Sequence, residues 1–375
     1  MKIFYLTNGE NVHDERFLKK MIKEGYEIFL ISYSKDKIPK ETPGLKKVIH
    51  KPLVPSFIPF SIYFNYFPFG FLHLKYLIWK YKPDILHAGW VQHYGFISAL
   101  SGFHPLVIIP WGSDILIEPH KSFLHRMLTK YTLNRADMIS VDAEFVKDEI
   151  IRISGYPDEK IVVFPQGIDQ KMFYKKENGS GIRKKLGWSD KKIMIMARTF
   201  KPVYGIEYFL SAMTEVVKKV PDVRVLMCGD GPLRDEFKSF LAKNSLSEYF
   251  YFAGMVKNDD LPKYYNAADI YVSTSLSDGT SLALLESMAC GLPSVVTDVP
   301  AILEWVKDGE NGFIVPRKNS EVLAEKLIEL LKNDAMRREF GRKNLAIAKE
   351  RANWDDNFMK LVYIYDKLCP QKEVN

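Results

Sequence analysis

Two acidic residues at a fixed separation mark the part of the chain with the clearest potential for chemistry. Asp278 stands in a turn of Ser, Asp, Gly and Thr, and Glu286 follows eight residues later. The apolar, β-branched residues 270–272 predict a strand before the turn, and residues 282–290 predict a helix that a Gly-Leu-Pro sequence ends. A turn of small residues that opens a helix presents unpaired backbone N–H groups and the positive end of the helix dipole, which suits a phosphate.

The two acids occupy different positions relative to that phosphate site. At a rise of about 1.5 Å per residue, Glu286 lies roughly one to two turns along the predicted helix. A ligand lying across the helix N-terminus would therefore meet Asp278 at one end and Glu286 at the other, with its phosphates between them. A nucleotide sugar has this shape.

The alternation of strands and helices predicts the fold that positions these residues. Predicted strands cover residues 2–6, 27–32, 84–87, 106–110, 138–141, 161–164, 193–197, 223–228, 251–252, 269–273, 294–297 and 313–315. Predicted helices between them include residues 14–23, 145–153, 206–219 and 233–242. Alternating β–α units predict parallel sheets covered by helices on both faces, so the fold class is α/β with doubly wound, Rossmann-like domains.

A polar, turn-rich segment divides the chain into two such domains. Residues 165–169 (Pro-Gln-Gly-Ile-Asp) and the polar residues after them indicate the boundary. We expect an N-terminal acceptor-binding domain over residues 1–167 and a C-terminal nucleotide-sugar domain over 168–353, facing each other across a cleft. Residues 335–368 have helical periodicity, and we expect residues 354–375 to pack back on the first domain. Ligands are expected at the carboxyl ends of the strands.

Composition indicates an ordinary soluble protein of a reducing compartment. Apolar residues make up 47% of the 375 residues and charged residues 26%. Three cysteines form no C-x-x-C pair, which favours a reducing compartment. The N-terminus runs into a strand with no apolar segment typical of a signal peptide, so a cytoplasmic location is expected.

The first domain is basic and rich in aromatic residues. Residues 1–82 carry thirteen Lys and one Arg against seven acids, and residues 57–81 contain eleven aromatics. No nucleic-acid recognition motif accompanies this charge, so nucleic acid is not an expected partner. Pro, Asn, His and Lys interrupt the aromatic segment, which excludes a transmembrane helix. Two interpretations stay open: a segment packed on the domain beside an acceptor groove, or a peripheral contact with anionic lipid on the cytoplasmic face of the membrane.

Six motifs, in order, resemble those of the retaining glycosyltransferases of family four, the group 1 enzymes with the GT-B fold. Asp278 and Glu286 resemble the E-x7-E signature, and Arg198 followed by Gly205 resembles the phosphate-binding arginine loop. The other four are Pro165-Gln166-Gly167-Ile168-Asp169 with Phe173, Gly229-Asp230-Gly231-Pro232, Phe252-Ala253-Gly254-Met255-Val256 and Asp308-Gly309-Glu310-Asn311-Gly312-Phe313. The resemblance covers the second half nearly completely and the first half more loosely.

The resemblance implies a role for each matching residue. Glu286 would bind the ribose hydroxyls, Asp278 the donor sugar, and Arg198 the diphosphate. Backbone N–H groups around Thr280, Ser281 and Leu282 would hold the diphosphate, Val256 would contact the base, and the turn at Gly229 would let the base approach. A carboxylate suits a ribose diol, and fixed dipoles with an arginine suit a departing diphosphate. No Asp-x-Asp or His cluster suggests a metal, and no cofactor is expected beyond the nucleotide sugar itself.

Three positions depart from the family's pattern. The first acid is Asp278 rather than Glu, and Tyr204 stands where the family has Lys. Two alternatives stay open for the missing charge: Lys201 supplies it, or the single arginine suffices. Trp111 occupies the position of a His in the segment Ile-Pro-Trp-Gly-Ser-Asp, which leaves Asp114 as the first-domain candidate for a hydrogen bond to donor or acceptor.

Two further candidates come from the first domain. Gly9 ends the first strand, where a loop can approach the diphosphate or make a plain strand-to-helix turn. His87 follows the strand at residues 84–86, and the sequence leaves a substrate contact and a buried structural role equally open.

The expected activity is transfer of a hexose, with retention and without metal, from a nucleoside-diphosphate sugar. By resemblance, the acceptor is a cell-surface glycan, a lipid-linked glycan or a polysaccharide, and the leaving phosphate serves as the base. Two alternatives are kept: a GT-B nucleotide-sugar epimerase and a non-catalytic sugar-nucleotide-binding subunit. An NAD-dependent oxidoreductase is disfavoured, because the Gly-Asp-Gly-Pro sequence at 229–232 lacks the third glycine of a dinucleotide fingerprint.

Overall fold

The computed structural model of the chain describes residues 1–7, 12–33, 44–50, 69–176 and 180–370. The chain forms two compact units. The first unit is Met1–Phe164 with Met359–Asn375, and the second unit is Pro165–Phe358. These bounds differ by only a few residues from the expected divisions at 167 and 354.

The first unit is a parallel sheet with helices along the chain between its strands. Its described strands are β1 (Lys2–Leu6), β2 (Glu27–Ser32), β3 (Lys47–His50), β4 (Ile85–Gly89), β5 (Leu106–Ile109), β6 (Met138–Val141) and β7 (Ile161–Val163). Its helices are α1 (Val12–Lys23), α2 (Phe69–Tyr81), α3 (Phe96–Ser101), α4 (Ser113–Leu116), α5 (Phe123–Leu133) and α6 (Glu144–Ser154). The strand order is β3-β2-β1-β4-β5-β6-β7.

The second unit repeats this architecture. Its strands are β8 (Lys192–Ala197), β9 (Val223–Cys228), β10 (Phe250–Gly254), β11 (Ile270–Ser273), β12 (Ser294–Thr297) and β13 (Gly312–Val315). Its helices are α7 (Ser180–Leu186), α8 (Ile206–Lys219), α9 (Arg234–Lys243), α10 (Leu261–Tyr265), α11 (Leu282–Ala289), α12 (Pro300–Leu303), α13 (Ser320–Lys332) and α14 (Asp334–Arg351), followed by α15 (Trp354–Leu368). The strand order is β10-β9-β8-β11-β12-β13.

Burial explains why the strands are so apolar. Every described strand pair is parallel, and strands such as β8, β9 and β11 are buried along nearly their whole length. Parallel strands covered on both faces need continuous apolar sequence, which is the pattern that predicted them. The expected α/β class with two doubly wound domains is confirmed.

The helical tail consists of two helices. Residues 335–368 have helical periodicity, and in the structure α14 ends at Arg351 and α15 begins at Trp354, the first residue of the expected last segment. Ile168 N donates to Ala352 O at 2.8 Å and Trp354 N donates to Ile168 O at 3.1 Å, so the chain between the helices pairs with a distant segment. The backbone groups that this pairing uses are unavailable to a continuous helix.

The end of α15 returns to the first unit, as expected. Lys360 Nζ donates to Val163 O at 3.2 Å, and the rings of Tyr365 and Tyr26 meet edge to face with centroids 5.4 Å apart. Tyr365 is fully buried. The last helix therefore contributes to the core of the first unit.

Candidate active site

Several predicted donor-site residues of the second unit follow two neighbouring strands of its sheet. Strand order reverses between the neighbours β8 and β11, since β8 continues to β9 on one side and β11 to β12 on the other. Ligands of doubly wound sheets bind outside the carboxyl ends of strands at such a point. Arg198 follows β8, and Asp278 lies in the loop between β11 and α11.

Arg198 joins the two loops. Its Nη2 donates to Asp278 Oδ2 and to Ser281 Oγ, and both charged side chains are mostly buried. The guanidinium Nε is also buried, and it has no hydrogen-bond partner among the described residues. A buried donor without a partner is costly, so a ligand or water that accepts a hydrogen bond from this N–H would remove that cost.

Charge and burial act against each other in this pair. Burial disfavours the charged form of Arg198 and is the largest single effect on it, but the Asp278 carboxylate and the neighbouring tyrosines together outweigh burial and raise the pKa of the guanidinium above its ordinary value. Burial raises the pKa of the Asp278 carboxyl, while Arg198 opposes that rise. The site therefore holds a permanent positive charge beside a carboxyl whose ionisation depends on that charge.

Tyr204, in the loop that follows Arg198, contacts the guanidinium with its ring. The Arg198 guanidinium carbon lies 4.9 Å from the centroid of the Tyr204 ring, a cation–π contact. Thr274 Oγ1 donates to Tyr204 O at 3.0 Å, which fixes the loop after β8 to the loop after β11. Gly205 permits this approach, because its φ is +54° and a Cβ there would lie 2.5 Å from Thr274 O. A ring thus stands where the family has a lysine.

The N-terminus of α11 supplies a second positive group. Ser281 caps the helix, with its Oγ accepting from Leu284 N at 3.2 Å. The N–H groups of the first turn, from Leu282 onward, have no carbonyl partner within the helix and point out of its end. Arg198 bonds the same Ser281 hydroxyl, so the cation and the helix terminus lie side by side, as a diphosphate requires.

Glu286 is buried farther along the same helix. Its Oε2 accepts from Tyr265 OH at 2.9 Å, and Leu285 and Met288 beside it are fully buried. A carboxylate in apolar surroundings is costly unless hydrogen-bonded. Tyr265 orients the carboxylate and was missed by sequence reasoning, because nothing in the sequence links two residues 21 positions apart.

The other second-unit candidates differ in their surroundings. A Cβ at Gly229 would stand 1.9 Å from Arg198 O, so the absent side chain is needed for the loops to pack. Val256 is half-buried against a core cluster. Thr280 is half-buried before the helix cap, and the Lys201 side chain is exposed, with no described contact to the Arg198–Asp278 pair. Ligand contacts by these residues stay predictions.

The first-unit candidates are buried in their own unit. His87 Nδ1 is hydrogen-bonded to Tyr365 OH, its ring meets that of Tyr5 edge to face, and burial lowers its pKa to about 3. These contacts favour the structural role that the sequence left open, with a neutral imidazole at physiological pH. Gly9 lies outside the described residues.

Asp114 organises backbone in the first unit. Its Oδ1 accepts from Trp111 N at 2.9 Å and its Oδ2 from Val91 N at 3.1 Å. The side chain is fully buried, and burial raises its pKa from 3.8 to about 6 against the opposing effect of these N–H groups. Asp114 thus positions the loops after β4 and β5, and its contact with donor or acceptor stays a prediction.

Metal-binding clusters and membrane-spanning helices are both absent from the described residues. Among those residues, no three or more His, Cys, Asp or Glu side chains group in a way that could hold a metal ion. No helix in the described ranges is long and apolar enough to cross a membrane.

Two doubly wound units, with an arginine and a helix N-terminus at the switch point of one, define the GT-B class. The family profile of glycosyl transferases group 1 matches residues 180–346, and that of glycosyl transferase 4-like proteins matches residues 2–143. Together the two matches support a group 1 glycosyltransferase, as the sequence motifs implied.

Individual relatives agree with this assignment. An uncharacterised glycosyltransferase of Methanocaldococcus jannaschii is 24% identical over 371 residues, covering 98% of this chain and 97% of the relative. An alpha-monoglucosyldiacylglycerol synthase of Streptococcus pneumoniae is 27% identical over 345 residues, covering 82% and 76%. The structure of Anabaena HepE in complex with UDP superimposes with a TM-score of 0.81 at 20% identity, covering 98% of this chain and all of that one (100%). At this identity the superposition shows the shared fold.

Proposed function

We propose that the protein transfers a hexose from a nucleoside-diphosphate sugar to a glycan or lipid-linked acceptor, with retention of anomeric configuration and without metal. The observation that carries the proposal is the contact of Arg198 with both Asp278 and Ser281 at the start of α11. It brings a cation, a helix N-terminus and a carboxylate to one point. Those are the groups that a diphosphate bonded to a sugar needs.

Each group has a separate task in the proposed site. Arg198 and the first N–H groups of α11 bind the diphosphate and stabilise the negative charge that grows on it as it leaves. Their positive charge supports a metal-independent reaction, since it takes the place of a cation on the leaving group. Glu286, held by Tyr265, accepts hydrogen bonds from the ribose diol. Asp278 accepts from hydroxyls of the donor sugar.

The proposed reaction needs no covalent enzyme nucleophile. The bond between sugar C1 and the leaving phosphate oxygen breaks, and a bond from C1 to the acceptor oxygen forms on the same face of the sugar. The acceptor proton passes to the leaving phosphate oxygen. Arg198 stabilises the negative charge on the leaving diphosphate, and the leaving phosphate oxygen stays basic enough to take the acceptor proton.

Several features support a lipid-linked or cell-surface acceptor and a peripheral location on the cytoplasmic face of the membrane. Residues 1–82 have a surplus of basic residues, and a Streptococcus pneumoniae relative is named for the synthesis of a glycolipid. Of the aromatic segment at 57–81, residues 57–68 lie outside the described part of the chain, and α2 forms the remainder.

Proton NMR of reactions with UDP- and GDP-hexoses, with and without acceptors, tests this function. A new anomeric signal of the donor's configuration, unaffected by EDTA, is expected. An inverted product contradicts retention, and activity lost with EDTA contradicts metal independence. Conversion of the donor to another hexose without acceptor would identify an epimerase, and tight donor binding without turnover a non-catalytic subunit.

A further inference from the structure

Helix α5 exposes an apolar face that the candidate active site does not use. Phe123, Leu124, Met127 and Tyr131 recur at helical spacing, and each is between 37 and 78% exposed. Scattered exposed apolar residues are ordinary, but large ones grouped on one face mark an interaction site. Sequence reasoning drew attention to residues 57–81 and overlooked α5.

The apolar surface continues over neighbouring helices of the same unit. α3 packs against both α2 and α5, and Phe96 of α3 meets Tyr131 edge to face with ring centroids 6.0 Å apart. On α2, Leu72, Tyr76 and Trp79 are also between 49 and 74% exposed. The α2–α5 surface is defined here by these exposed side chains: Leu72, Tyr76, Trp79, Phe123, Leu124, Met127 and Tyr131.

The helices that form this surface carry basic residues and no acidic ones. The sequences of α2, α3 and α5 contain no Asp or Glu. Lys75, Arg126 and Lys130 are exposed, and none of the three forms an ion pair with a carboxylate in the described ranges. The acids next to α5 are already engaged: Glu118 with Lys121 at 2.6 Å, and Glu149 with Arg152 at 2.7 Å.

We propose that the α2–α5 surface docks on an anionic lipid bilayer. Its aromatic and aliphatic side chains would enter the headgroup region while Arg126, Lys130 and Lys75 bind lipid phosphates. The observations favour a bilayer over a protein partner, because the centres of protein interfaces are depleted in Lys, whereas here cations are interleaved with the apolar side chains. The surface lies in the first unit and the donor-site residues in the second, so lipid binding is testable apart from transfer.

Co-sedimentation of the full chain with vesicles tests this proposal. Vesicles of phosphatidylcholine alone are compared with vesicles of phosphatidylcholine and phosphatidylglycerol in equal parts. Binding is expected only to the second kind, and it weakens in high salt as the charges are screened. The double variants Phe123→Ser/Met127→Ser and Arg126→Gln/Lys130→Gln are each expected to reduce partitioning at least about tenfold.

A matched control comes from the same unit. Met359 and Tyr363 of α15 are 49 and 58% exposed, and Met359→Ser/Tyr363→Ser is expected to sediment like the wild type. Unchanged melting temperatures show that the variants are folded. The proposal is overturned if the wild type does not sediment with anionic vesicles at low salt, or if both α5 variants sediment like it. A concentration-dependent dimer that the Phe123→Ser/Met127→Ser substitutions abolish would equally overturn it, in favour of a second copy of the chain.

Discussion

Arg198 and Asp278 form an ion pair across two loops, although the sequence assigned them to different parts of the donor. Arg198 follows β8 and Asp278 follows β11, and these strands are neighbours. The guanidinium Nη2 also donates to Ser281. A diphosphate that binds Arg198 must therefore share the guanidinium with the Asp278 carboxylate, which couples diphosphate binding to the orientation of the acid proposed to contact the sugar.

Asp278→Asn separates these two tasks. The amide places no negative charge beside Arg198, so the affinity for a nucleoside diphosphate is expected to stay the same or rise. Sugar transfer is expected to fall about ten- to hundredfold, the value of a hydrogen bond to a charged group. Calorimetry with the nucleotide and turnover with the donor measure the two effects. The control variant Asp298→Asn alters an exposed acid paired with Arg317 and should change neither nucleotide binding nor turnover. If Asp278→Asn loses nucleotide binding and turnover equally, Asp278 has a structural role instead.

Tyr204 is expected to act through its ring. The ring holds the Arg198 guanidinium at 4.9 Å, and a desolvated cation–π contact contributes about 1–2 kcal/mol, or roughly five- to thirtyfold in affinity. Tyr204→Ala should weaken nucleoside-diphosphate binding by that factor, whereas Tyr204→Phe should bind like the wild type. If the two variants bind equally weakly, the hydroxyl rather than the ring is responsible.

Glu286 is expected to distinguish ribose from its deoxy analogues. Glu286→Gln should weaken binding of the ribonucleotide about tenfold or more, since it loses a charged acceptor. The wild type should discriminate against 2′-deoxy or 3′-deoxy nucleoside diphosphates, and the variant should discriminate much less. Tyr265→Phe, which removes the hydrogen bond to Oε2, should have a smaller effect of the same kind. Undiminished discrimination in Glu286→Gln would place the ribose elsewhere.

Asp114 makes stability depend on pH. Burial raises its pKa from 3.8 to about 6, so between these values the folded state holds a proton that the unfolded state releases. The raised pKa contributes roughly 3 kcal/mol to the free energy of unfolding below about pH 4, and this contribution is lost as the pH rises through about 6. Asp114→Asn does not titrate, so the difference in unfolding free energy between wild type and variant should decrease by that amount from pH 4 to 7. Urea denaturation at several pH values measures it, and parallel stability curves would contradict the assignment.

The sequence predicted the strands well because buried parallel strands need a continuous apolar run, which is a local feature of the sequence. Five of the twelve predicted strands have the observed bounds, among them Lys2–Leu6 and Val223–Cys228. The missed strand, Lys47–His50, has charged or polar ends and pairs only with β2 at the sheet edge. Such an edge strand lacks the continuous apolar run that signals a buried one.

The sequence placed the candidate residues on their secondary-structure elements but did not predict the contacts between them. Motif order placed Arg198, Asp278 and Glu286 on the correct elements, because strand-turn-helix signals are local. The pairing of Arg198 with Asp278, its contact with the Ser281 hydroxyl and the support of Glu286 by Tyr265 join residues far apart in sequence. They depend on which strands are neighbours in the sheet, and sheet order is a tertiary property.

The central claim is that Arg198 and the start of α11 form a diphosphate site, and nucleotide binding to an arginine variant tests it most directly. Titration calorimetry with UDP and with GDP would compare the wild type with Arg198→Ala and with Arg317→Ala, a control that removes an exposed arginine of the same unit. The wild type and Arg317→Ala should bind at least one of the two nucleotides with the same affinity. Arg198→Ala should bind that nucleotide with an affinity lower by about tenfold or more. Equal binding by all three proteins, or no binding of either nucleotide by the wild type, would contradict the claim.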